Sequence, residues 1–187
     1  MNLNAHRTMQ LYGALLLLPA ALLLTAFAYL PTVTTVINSL FLPGFRGEPA
    51  AFVGLDNYRV LMDDPTFWKV ARNNLLYALG TIPTSMALAL GMALLVNARL
   101  PGRGLVRMAY FTPTILPMIA AANIWMFFYA PQIGLFNKLL GALGFAEVNW
   151  LGDPGVALGS VIVMSVWKEA GFFMIFYLAA LQAIPPE

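Results

Sequence analysis

The sequence predicts an all-α membrane protein with four transmembrane helices, and three observations carry that prediction. First, 60% of its 187 residues are hydrophobic and only 10% are charged. The mean hydropathy of +0.78 is too apolar for a soluble domain of this length. Second, four segments reach the roughly 20 residues that a bilayer core of about 30 Å demands of a helix: about 11–30, 75–96, 106–129 and 156–181. Third, the short link at 97–105, together with Arg107, holds Arg99 and Arg103 and no acid, whereas the flanking loops carry both signs. Basic short links stay on the cytoplasmic side, so this link fixes an orientation for the whole set.

The first apolar segment starts after Arg7 and continues past Leu30 through Val33, Val36 and Ile37. We expect an uncleaved span with a cytoplasmic N-terminus. The competing expectation is a signal peptide cut after Ala26-Phe27-Ala28, a small-x-small site. Either way the arginine link stays inside, and the segments 41–72 and 130–155 fall outside. Within 41–72, Asp64-Pro65 has the form of a helix start, with Phe67, Trp68 and Val70 leading into the second span. A short amphipathic helix at the outer interface, anchored by Trp68, is expected there.

The second span places Ser85, Ala89 and Ala93 in one small-residue row and Ala87 with Gly91 in a neighbouring one. Small rows let helices approach closely in lipid. On the third span, Pro113, flanked by Thr112 and Thr114, and Pro117 lie one turn apart. Each proline removes a backbone hydrogen bond and crowds the preceding turn, so a kink or break near the cytoplasmic end is expected, serving either packing or a gate. After it, Leu135, Leu139, Leu140 and Leu143 share one face of a second surface-lying helix.

The fourth span contains Ser165-Val166-Trp167-Lys168-Glu169. Lys168 lies about 18 Å along this helix at 1.5 Å per residue, close to mid-membrane. Insertion scales charge about 2.5–3.5 kcal/mol for such a residue facing lipid, so Lys168 and Glu169 must face protein or water. A polar brace between helices and a role in a hydrophilic path both satisfy this. A proton relay is disfavoured, because the other spans contain no further Asp, Glu or His to extend it.

Several function classes are excluded. There are no cysteines and one histidine, His6, in the N-terminal stretch, so neither a disulfide, a thiolate metal site nor a histidine-based catalytic cluster can be built. No GxxxxGK[ST] phosphate loop is present. The net charge of +2 comes from scattered residues, which excludes a nucleic-acid surface. We expect no enzyme, no metal and no cofactor.

Read in order, "FVGLDNYRVLMDDPTFWKVARNNLLY", "RGLVRMAYFTPTILPMIAAANIWMFFY", "GLFNKLLG", "NWLGDP" and "VWKEAGFFMIFYLAALQAIPPE" resemble the integral-membrane permease subunit of bacterial binding-protein-dependent ABC importers. The likeness is to the carbohydrate-uptake type, which includes maltose-like and glycerol-3-phosphate-like systems. It implies a six-span permease fold in the inner membrane, of which four spans are present, and in which Leu181–Glu187 would lead into the cytoplasmic coupling helix that docks on the ATPase. The ending LQAIPPE is accordingly read as a cut, and the chain as about the N-terminal two-thirds of a permease, not expected to transport alone. The implied partners are a second permease subunit, ATP-binding cassette subunits, an extracytoplasmic binding protein for a sugar or sugar-like solute, and membrane lipid. Lys168, Glu169, Asn123 and Trp167 become candidates for the translocation path or a subunit interface, and Pro113 and Pro117 for a kink or gate. The alternative is a complete four-span scaffold or small channel, which requires a true terminus at Glu187.

Overall fold

The computed structural model describes residues 3–44, 51–98 and 102–183; Arg99 and the final Ile184–Glu187 of LQAIPPE lie outside them. The chain divides into two units, Met1–Trp68 and Lys69–Glu187. Three described helices are long and apolar enough to cross a membrane, Met9–Asn38, Pro65–Asn97 and Ala157–Ala183. A fourth candidate is the bent pair Arg103–Ile115 and Met118–Phe128.

In the first unit, α1 (Leu3–Leu24) runs through a π-helical turn (Thr25–Tyr29) into α2 (Leu30–Asn38). The π turn has a local cause. Pro31 cannot donate, and its ring would crowd the carbonyl four residues back in a regular helix. Widening the preceding turn, with the Leu30 N–H on the Thr25 carbonyl, relieves that clash. Ala26-Phe27-Ala28 lies inside this turn of a continuous helix. The hydroxyls of Thr32 and Thr35 donate to carbonyls four residues earlier at 2.7 Å, so these polar groups are satisfied within the span.

A two-stranded antiparallel pair follows, β1 (Phe41–Leu42) with β2 (Ala51–Phe52), in the register Phe41 to Phe52. It was not expected from the sequence. Asn57, in α3 (Asp56–Asp63), donates to the Ser39 and Phe41 carbonyls at 2.8 and 3.1 Å and ties the strand pair to the short helix. At Asp64 the chain turns, and its carboxylate accepts the Thr66 N–H at 2.8 Å. That cap with Pro65 at the first helical position starts α4 (Pro65–Asn97). The interfacial helix expected around Asp64-Pro65 is thus the separate α3 upstream, while Phe67 and Trp68 already belong to α4. The Trp68 indole donates to the Met62 carbonyl at 2.8 Å.

In the second unit, α4 packs with α5 (Arg103–Ile115) and α8 (Ala157–Ala183). The buried face of α4 is the four-residue row Thr81, Ser85, Ala89, Ala93, joined by Val96. The neighbouring row is turned outward, with Ala87 and Gly91 exposed. Small side chains bring α4 against Met174 and Leu178 of α8 with Tyr110 and Val106 of α5 alongside. The link from α4 turns at Gly102, whose φ of +76° is open to glycine at little cost.

The third span, expected at 106–129 with a kink or break at its proline pair, is broken there. α5 ends at Ile115, α6 (Met118–Phe128) begins after Pro117, and the two axes are bent by 100°. The break lies midway along the pair of helices. The physical reason is that Pro113 is accommodated inside α5, while Pro117 forces Leu116 out of helical geometry (φ −62°, ψ 133°). The segment between α6 and α8 contains α7 (Leu135–Ala142).

Candidate functional site

The break between α5 and α6 leaves the last carbonyls of α5 without intrahelical donors. α8 supplies one. Lys168 is buried, near the middle of α8, and its Nζ donates to the carbonyls of Leu116 at 3.0 Å and Thr114 at 3.3 Å. The Thr114 hydroxyl donates in return to the Lys168 carbonyl at 3.0 Å. Two features that stood apart in the sequence, the proline pair and the mid-membrane lysine, are therefore one structure. A cationic side chain at a helix C-terminus also has the favourable sense relative to the helix dipole.

The tie depends on close approach. A Cβ at Gly171 would stand 2.2 Å from the Tyr110 carbonyl oxygen and 3.0 Å from Thr114 Oγ1, so only glycine lets α8 lie this near α5. Sequence reasoning missed Gly171, since its role appears only when the two helices are paired. A second cross-link joins α4 to α8, where the Tyr77 hydroxyl donates to Ser165 Oγ at 2.9 Å.

The other candidate residues fall differently around this tie. Glu169 is half-buried and, one residue on, is turned about 100° from Lys168 around the helix. Trp167 is half-buried and stacks edge-on against Trp125 at 5.6 Å between ring centroids. Trp167, Trp125, Pro113, Tyr110 and Thr84 are among the residues around an apolar cavity of about 500 Å³. Trp125 Nε1 has no hydrogen-bond partner. Asn123 is exposed on α6, and its side chain lies two positions from both Ala121 and Trp125, which are buried. The structure does not bring it to the Lys168 tie.

Beyond α6 lies a cluster that the sequence did not reveal. Asn137 of α7 is buried and uses its whole amide. Its Nδ2 donates to the Pro131 and Val148 carbonyls at 2.7 and 2.9 Å, and its Oδ1 accepts from the Val148 N–H at 3.1 Å and the Trp150 indole at 3.0 Å. Two donors and two acceptor positions are all that an asparagine side chain offers. Around it, Tyr129 and Phe136 are in ring contact with each other and with both Trp125 and Trp150. The Tyr129 hydroxyl donates to the Ser160 carbonyl at 2.8 Å, and Ser160 Oγ donates to the Trp150 carbonyl at 2.8 Å. Among the described residues no group of three or more His, Cys, Asp or Glu could hold a metal ion.

No protein-family model matches the chain. It is 35% identical over 177 residues to a sulfoquinovosyl glycerol transport system permease protein of Agrobacterium fabrum, covering 94% of this chain and 58% of that protein. It is 34% identical over 175 residues to a trehalose/maltose transport system permease protein of Thermococcus litoralis, covering 94% and 59%. Among solved structures, a bacterial ABC transporter involved in import of the acidic polysaccharide alginate matches with a TM-score of 0.78 at 25% identity, covering 98% of this chain and 61% of that one. The chain thus spans about 60% of the length of the relatives it matches.

Proposed function

Because the chain is homologous to the permease proteins of ABC transporters along nearly its whole length, we propose that it is part of the membrane subunit of an ATP-driven importer. The single observation that carries this reading is the joint match of sequence and fold, over 94% of the chain to sugar-transport permeases and over 98% to an alginate importer. In the proposed assembly it stands beside a second permease subunit, and ATP hydrolysis belongs to separate subunits. An extracytoplasmic binding protein delivers a sugar or sugar-like solute. One solved relative was captured with an alginate-bound periplasmic protein, which supports the same arrangement here.

The orientation follows from the basic link: N-terminus and residues 97–105 in the cytoplasm, 41–72 and 130–155 outside. The ordered outer segment around Asn137 is then a surface for the binding protein. Trp167 and Glu169, half-buried beside the tied break, line the hydrophilic path, and Asn123, exposed on an apolar helix, meets the partner permease. Lys168 serves this arrangement as a brace rather than as a solute ligand, because its amine is directed at backbone carbonyls.

The experiment is uptake into proteoliposomes holding the intact transporter with its binding protein. The expected result is accumulation of a labelled mono- or oligosaccharide that requires both ATP and the binding protein. Solute flux independent of ATP, as a channel would give, overturns the reading.

A further inference from the structure

The proline pair explains why the third span breaks but not why it settles at a particular angle. Pro117 withdraws one N–H and pushes Leu116 into extended geometry. A chain interrupted in this way can still run nearly straight, as proline-kinked helices do, or fold back sharply. What is specific to this break is its far side. The carbonyls of Thr114 and Leu116, one at the end of α5 and one in the extended residue beyond it, converge on one amine from α8, at 3.3 and 3.0 Å. In lipid such carbonyls have no water to turn to. The direction of the Leu116 carbonyl is tied to its ψ of 133°, so a bond that fixes that carbonyl also fixes the peptide plane from which α6 departs.

We propose that Lys168 is the positioning residue that sets the 100° bend between α5 and α6, by holding the carbonyl at the end of α5 and that of the extended residue at the break on one amine. Gly171 and Thr114 complete the device. Gly171 gives α5 the clearance to lie against α8, and the Thr114 hydroxyl returns a bond to the Lys168 carbonyl. The consequence is that the direction of α6, and with it the placement of Trp125 and Asn123, is governed from the middle of α8. This inference stands on the geometry alone and does not depend on what the transporter carries.

Spin labels at Leu105 and Met126, both exposed, report the bend by pulsed electron resonance. A straight helix would hold those Cα atoms about 31 Å apart at 1.5 Å per residue, and the bent pair holds them much closer. The native chain is expected to give one narrow distribution at the short distance. Lys168→Met, which keeps the length of the side chain but no donor, is expected to broaden it and shift it longer by several ångströms. Lys168→Arg, which keeps donors at the same reach, is expected to restore the narrow distribution. An unchanged narrow distribution in Lys168→Met overturns the proposal. Should that variant fail to accumulate in the membrane, Gly171→Ala leaves Lys168 in place but forces α5 off α8, and it is expected to shift the same distance. A native distribution in Gly171→Ala also overturns it. Because the readout is a distance within one protein, its failure is distinguishable from a failure of solute uptake.

Discussion

The break at Leu116 and the segment around Asn137 between α6 and α8 face the same difficulty, non-helical backbone beside apolar helices, and they solve it differently. In the Asn137 segment one short neutral amide makes four hydrogen bonds to residues within thirteen positions of it, walled by aromatic rings. At the break one long amine arrives from 52 to 54 residues away and answers two carbonyls. The first arrangement is dense, with the whole Asn137 amide paired, so many contacts share the task of holding the loop. The second is sparse and hangs on one side chain. A dense cluster governs whether a segment stays folded, whereas a sparse tie governs which way an element points.

That contrast can be broken by measurement. Asn137→Leu is expected to have the largest effect on stability. It removes the partner of the part-buried Trp150 indole, the Val148 N–H and two carbonyls together, and each such hydrogen bond lost costs about 0.5–1.5 kcal/mol. A loss of about 3 kcal/mol or more, with early proteolysis within 130–155, is expected in unfolding of the detergent-solubilised protein; a loss under about 1 kcal/mol would show that the aromatic rings hold the segment by themselves. Gly171→Ala comes next, at about 1–3 kcal/mol, the usual cost of forcing atoms into a packed contact. Here the obstacle is backbone, the Tyr110 carbonyl, which cannot rotate aside.

Lys168→Met is expected to cost only about 1 kcal/mol, the scale of interhelical polar contacts in membranes, while changing the bend most. If it destabilises as much as Asn137→Leu, the break is not the lightly held element described above. At the small end, Gly91→Ala, with nothing within 4 Å of the added Cβ, is expected to be neutral or to stabilise by a few tenths of a kcal/mol through helix propensity.

The two regions also differ in how far they could be read from the sequence. Lys168 and Pro117 are anomalies in apolar runs, visible because lipid penalises them, and the apolar segments themselves specify the membrane class. The break itself is legible from Pro113 and Pro117, but their meeting with Lys168 is a tertiary event over more than 50 residues, which no local pattern encodes. Asn137 gave no signal at all. An asparagine between Phe136 and Lys138 in a leucine-rich, surface-lying helix is ordinary, and its importance depends on Pro131, Val148 and Trp150 arriving around it. Gly171 is similar, for a glycine in an apolar helix is common and its clearance matters only once α5 is alongside. Asn123 is a different case: an isolated amide in an apolar span is legible from sequence, and the structure leaves it exposed on α6, apart from the Lys168 tie.

The most direct test of the functional account is whether Glu169 faces water in mid-membrane. The chain has no cysteines, so a single Glu169→Cys variant in the intact transporter can be probed with a charged thiol reagent, with Glu147→Cys in the outer segment as the accessible reference. The account predicts that Glu169→Cys reacts, and that transported solute slows the reaction. A cysteine at 169 that stays unmodified under conditions that label position 147, in the presence and absence of ATP, would contradict it.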